Sequence, residues 1–93
     1  MDILCKDTEG NFVVIELKRD KAPDKVVAQV DGYMEWVERN LAQSGQDVHG
    51  LIVARSLDSR LQHMLPRRPD IEVRLYDWRL ELNEWTNEQG PSQ

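Results

Sequence analysis

Asp2, Glu16 and Lys18 are the residues whose types and spacing are best suited to chemistry. Glu16 and Lys18 close the stretch VVIELK at 13–18, where β-branched apolar residues predict a strand. Side chains alternate along a strand, so positions 16 and 18 share one side. Leu17 then points the other way, into the core. If residues 2–6 and 12–18 form a hairpin, Asp2 comes close to Glu16, although the sequence leaves the register open. Two neighbouring carboxylates repel unless a cation or a shared proton sits between them. Mg²⁺ fits such a place. It takes oxygen ligands, is held by one or two carboxylates, and keeps waters that phosphate oxygens can replace. The Leu17 carbonyl would complete the protein's share. Lys18 would orient a bound water, help lower its pKa, or stabilise charge on a pentavalent phosphate. The plainer alternative is a solvated Glu–Lys pair, and E-x-K alone is a weak motif.

Those three positions need elements to hold them. DILCK at 2–6 reads as a short strand. DTEGN at 7–11 is turn chemistry, with Gly10 and Asn11 able to take positive φ. FVVIELK at 12–18 is the second strand of an antiparallel hairpin. Val26, Val27, Val30, Tyr33, Met34, Val37 and Leu41 recur every three or four positions. That stripe predicts a helix over about 23–43, with Pro23 in its first turn. VHGLIVA at 48–54 reads as a buried, central strand. Ser56 or Asp58 caps a shorter helix ending near Leu65, which Pro66 and Pro69 stop. Residues 71–82 alternate with period two, and Asp77 disturbs the phase. The order is β-β-α-β-α-β. This is an α/β fold with a mixed sheet of about four strands and flanking helices. Residues 1–82 form one domain, and 83–93 read as a disordered tail.

A chain of 93 residues with 40% hydrophobic and 31% charged residues has room for one small core. Cys5 is the only cysteine, which excludes a disulfide framework and a cysteine zinc site, and suits a reducing cytoplasm. No apolar run approaches the ~20 residues that cross a bilayer, and no signal peptide is visible. The net charge of −5 argues against a non-specific nucleic-acid coat. It leaves room for a local basic run, and Lys18, Arg19, Lys21 and Lys25 supply one.

Gln29 lies at the polar boundary of the helix stripe, where its amide could touch a phosphate or support Glu16; the alternative is a surface glutamine. Tyr33 follows one turn later and reads as a core residue with its hydroxyl at the rim. Arg19, Lys21 and Lys25 are placed to hold phosphates, or simply line a solvated loop. His49 and His63 have no partner spacing and read as structural or exposed. Cys5 reads as a small core residue. Trp36, Trp78 and Trp85 could stack on bases or pack against a partner.

The stretch DILCKDTEGNFVVIELKRDKAPDKVVAQVDGYMEWV resembles the PD-(D/E)XK nuclease superfamily, and more closely the C-terminal nuclease domain of NucS-type endonucleases. The matching features are Asp2 on the first hairpin strand, an apolar strand ending Glu16-x-Lys18, and a helix with Gln29 and then Tyr33. The resemblance runs from Asp2 to about Leu65. It implies a restriction-endonuclease-like core and a DNA endonuclease that uses Mg²⁺ or Mn²⁺ and is commonly a homodimer. It also implies Asp2, Glu16, Lys18 and Gln29 at the catalytic centre, Asp2, Glu16 and Leu17 on the metal, and Arg19, Lys21, Lys25 and Tyr33 on DNA. Members usually carry an acidic helix, and often a strand, before the aspartate. This sequence is expected to lack them and to leave one sheet face and one strand edge uncovered. The alternative reading is a catalytically inactive nuclease-like module for binding or dimerisation.

Overall fold

The computed structural model describes residues 2–86. Six strands and two helices follow in chain order. They are β1 (Asp2–Lys6), β2 (Phe12–Leu17), β3 (Lys21–Ala22), α1 (Val26–Asn40), β4 (Val48–Ala54), β5 (Ser56–Leu57), α2 (Ser59–Met64) and β6 (Ile71–Leu75). A 3₁₀ turn at Leu65–Arg67 carries Pro66 and ends the run of α2. The main sheet has the order β1-β2-β4-β6. β1 runs antiparallel to β2, while β2, β4 and β6 are parallel neighbours. The mixed α/β architecture matches the sequence expectation, and a two-stranded parallel ribbon, β3 with β5, adds to it.

The hairpin forms because its turn is well satisfied. The Asp7 carboxylate accepts from the backbone N–H groups of Glu9 and Asn11, each at 2.9 Å. Gly10 takes φ +86°, a conformation in which other residues are strained. The next loop locks onto the same turn. Asp47 donates its N–H to the Asn11 side chain, and Gln46 donates to the Gly10 carbonyl, both at 2.9 Å.

The helix stripe holds in its centre. Val26, Val27, Val30, Met34 and Val37 are buried. The ends are shorter than expected. Val26 and Val27 donate to Pro23 and Asp24 in i→i+3 turns, so Pro23 leads into the helix without belonging to it. Leu41 and Ala42 both donate to the Val37 carbonyl, which closes the last turn, and Leu41 is exposed. At α2, Asp58 is the cap: its carboxylate accepts from the N–H groups of Arg60 and Leu61. β6 is also shorter than the alternation at 71–82 suggests. Tyr76 donates its N–H to Ala54, the last residue of β4, and among the described residues no strand remains for those beyond it to pair with. The expected tail at 83–93 has no regular structure up to Trp85 and Thr86, and its remainder lies outside the described residues.

The core lies between one face of the sheet and the helices. Phe12 and Val14 of β2, Ile52 and Ala54 of β4, and Ile71 of β6 meet the α1 stripe and Leu61 of α2. Gly50 lets α1 come close: a Cβ there would sit 2.6 Å from Val30 Cγ1. The opposite face carries Val13, Ile15, Leu17, Leu51 and Val53, all half-buried, and no described helix covers it.

This arrangement corrects three expectations. Leu17 faces the open side, and it is Glu16 that faces the helices. Cys5 is exposed, because β1 is an edge strand with all five residues open to solvent. Tyr33 is 47% exposed at the helix margin and lies outside the core.

Candidate active site

Glu16 follows Phe12 and Val14 on the helix-facing side of β2, in a phase that otherwise holds apolar residues. It is only 4% exposed. Burying a carboxylate costs several kcal/mol unless charge or hydrogen bonds compensate. Part of that compensation is Lys18, whose Nζ lies 3.3 Å from Glu16 Oε1. Lys18 stands one residue past the end of β2, on the same side as Glu16, as the alternation requires.

The register left open by the sequence is now defined. Asp2 pairs directly with Glu16 across the β1–β2 ladder. On the other side Glu16 faces Ile52 of β4, which is fully buried. Glu16 therefore has apolar packing on one flank and a second carboxylate on the other. Directly opposed side chains in an antiparallel pair sit with Cβ atoms roughly 4.5–5.5 Å apart.

Tyr33 closes this corner from α1. The Asp2 carboxylate pushes the Tyr33 phenol above its ordinary pKa, first through a hydrogen bond and then through its charge. A hollow of about 200 Å³ beside them is lined by Asp2, Leu4, Val14, Tyr33 and Trp36, among others. Asp2, Glu16, Lys18 and Tyr33 thus converge. Gln29 lies one turn before Tyr33 and is exposed. Arg19, Lys21 and Lys25 are exposed along the segment that leaves the site, with Lys25 at the N-cap of α1. His49 and His63 belong elsewhere: His49 is half-buried near Asp70, and His63 lines a hollow with Arg67 and Arg68.

Among the described residues no group of three or more His, Cys, Asp or Glu side chains is placed to share a metal ion. The register pair brings two carboxylates together, and a pair of hard oxygen donors fits a cation of the Mg²⁺ type that keeps several waters.

Sequence reasoning missed Tyr76. Its hydroxyl donates to the Lys18 carbonyl at 3.2 Å and also reaches the Arg19 carbonyl. It missed the β3–β5 ribbon as well. Neither leaves a local signal, because each joins segments more than thirty residues apart.

The mixed sheet, the helices on one face, and the carboxylates and lysine at the end of the second strand define a restriction-endonuclease-like core. The family model of the endonuclease NucS C-terminal domain matches residues 1–87, and the chain belongs to that family. Endonuclease NucS of Thermococcus kodakarensis is 37% identical over 67 residues, covering 72% of this chain and 25% of that protein. The Methanopyrus kandleri counterpart is 35% identical over 66 residues, covering 71% and 24%. Among solved structures, EndoMS in apo form superposes with a TM-score of 0.70 at 33% identity, covering 85% of this chain and 33% of that one. A repair endonuclease from Pyrococcus abyssi gives 0.66 at 32% identity, with 80% and 31% covered. An EndoMS complex with double-stranded DNA gives 0.64 at 36% identity, with 80% and 29% covered. The chain spans about a quarter of the length of the curated relatives it matches. Among the described residues, no helix is long and apolar enough to cross a membrane.

Proposed function

We propose that this chain is a metal-dependent nuclease domain that hydrolyses phosphodiester bonds of DNA. The observation that carries the reading is the register pair Asp2–Glu16 with Lys18 Nζ at 3.3 Å from Glu16. Family membership and the likeness to a DNA-bound EndoMS support DNA as the substrate.

Asp2 and Glu16 are the residues that would hold Mg²⁺ or Mn²⁺, with the Leu17 carbonyl between Glu16 and Lys18 as a further oxygen donor. Such an ion, when bound, polarises a phosphoryl oxygen and acidifies water. Lys18 supplies a positive charge and N–H donors beside Glu16. There it orients the attacking water, and it stabilises the charge that gathers as the 3′-oxygen is displaced in line. Tyr33 holds Asp2 by its hydroxyl and fixes where that carboxylate points. Gln29, one turn away, contacts the phosphate flank. Arg19, Lys21 and Lys25 neutralise backbone phosphates on the approach, a sequence-independent contribution that weakens with salt.

Calorimetry with Mn²⁺ tests this directly. The wild type should bind saturably, and Glu16→Ala should lose binding together with any metal-stimulated cleavage. Binding or cleavage retained in Glu16→Ala would sink the proposal.

A further inference from the structure

Lys18 lies beyond the last residue of β2, where an unsupported loop would let its backbone and its ammonium wander. The structure straps this loop at several points. The Lys18 N–H donates to the Val53 carbonyl at 2.8 Å, and the Arg55 N–H donates to the Asp20 carbonyl at 3.0 Å. The β3–β5 ribbon then pairs Lys21 with Ser56 and Ala22 with Leu57. These contacts leave the Lys18 and Arg19 carbonyls. Tyr76, the residue after β6, covers both with one hydroxyl. Its own N–H is fixed to Ala54, so the ring is held at its base. Leu17, Lys18, Arg19, Val53 and Tyr76 together line a hollow of about 670 Å³ on the open side of the sheet.

We infer that Tyr76 is a positioning residue for Lys18. It holds the Lys18–Arg19 peptide and so sets the direction in which the lysine leaves the strand toward Glu16. A hydroxyl has one proton and here has two carbonyl acceptors, so it is shared between them and restrains both. The phenol's hydrogen-bond acceptors are the Lys18 and Arg19 carbonyls, so its influence on the reaction passes through that peptide, and the inference rests on the nuclease reading above. Small misplacements of a catalytic group are expensive, on the order of 100-fold in rate for about 1 Å. Loss of one strap among several should therefore lower turnover by roughly 10-fold.

The test is Tyr76→Phe in the full chain, which keeps the ring and removes only the hydroxyl. Four quantities are read: amide hydrogen exchange at Lys18 and Arg55, Mn²⁺ affinity, and kcat and KM for Mn²⁺-dependent cleavage of double-stranded DNA. The expected result is faster exchange at those two amides with the helices unchanged. Mn²⁺ affinity and KM should stay within about twofold, with kcat about 10-fold lower. Unchanged exchange overturns the strap. Faster exchange with unchanged kcat overturns the positioning role. A rise in KM and a fall in kcat together with a general loss of protection would mark a merely structural tyrosine, and also overturns it. A wild type that neither binds Mn²⁺ nor cuts DNA, while Tyr76→Phe still loosens the loop, would remove the nuclease reading and the catalytic role with it, leaving the strap as a fact of the fold.

Discussion

Two clusters in this molecule contain similar charges and hold them differently. Asp2, Glu16 and Lys18 gather at the end of β2; Asp31, Arg68 and Asp70 gather where α1 meets the loop before β6. Each has two carboxylates and one cation. In the second, the planar guanidinium takes both carboxylates in a fork. Arg68 Nη1 donates to Asp31 Oδ2 at 2.8 Å, while Nε and Nη2 donate to Asp70 at 3.1 and 3.0 Å. These bonds hold the Asp70 carboxyl below its ordinary pKa and push the Arg68 guanidinium up, chiefly through Asp31. In the first cluster the cation is a point charge near one oxygen of Glu16, and Asp2 answers to Tyr33. An arginine fork saturates its partners and makes a brace. A lysine is a point charge without that fork geometry, and under the proposed nuclease function its place beside the buried Glu16 serves the reaction and not bracing.

The widest separation between the clusters should appear in metal binding. Asp2→Asn should weaken Mn²⁺ affinity at least about 10-fold by calorimetry, since a carboxylate ligand becomes a neutral amide. Asp31→Asn should leave that affinity unchanged. Equal effects from the two would erase the distinction.

A smaller effect runs the other way. Arg68→Met should lower unfolding free energy by about 1 kcal/mol in urea titrations, a figure kept low because all three groups are partly exposed and screened. Mn²⁺ affinity in that variant should match the wild type. A brace that costs nothing to remove would show the network to be incidental.

The smallest expected signal is its pH dependence. Asp70 has a folded pKa below its ordinary 3.8. Its contribution is therefore present above about 3.8 and is lost as pH falls through the lower, folded value. The stability gap between wild type and Asp70→Asn should hold from pH 7 to about 5 and close below 3.8, reaching some tenths of a kcal/mol at most. A gap that widened in acid would reverse the assignment of Asp70 as the favoured anion.

Much of this could be read locally. The turn at Asp7–Asn11, the strand at Val48–Ala54, the Asp58 cap and the centre of the α1 stripe each depend on residues a few positions apart, and the structure has them as expected. The pairing of Asp2 with Glu16 was suggested by the hairpin, and the ladder fixed it. Other features could not be read that way. The alternation 71–82 continues past Leu75, yet the strand stops there, because β4 has no residues left to pair with. The tyrosine that holds the Lys18 peptide comes from position 76, and nothing around it marks its acceptors.

The sequence by itself determined which residues share a side. Period two put Glu16 with Lys18, and set Leu17 and the Val13–Ile15 row apart from them, before any fold was known. Only the tertiary structure decided which side is covered. Helix α1 packs over Phe12, Val14 and Glu16, with Gly50 permitting its close approach, so the buried carboxylate belongs to the core face and Leu17 to the open one. Alternation is a property of one strand's backbone. Burial depends on what packs against that strand, and the helix that does so follows it in the chain.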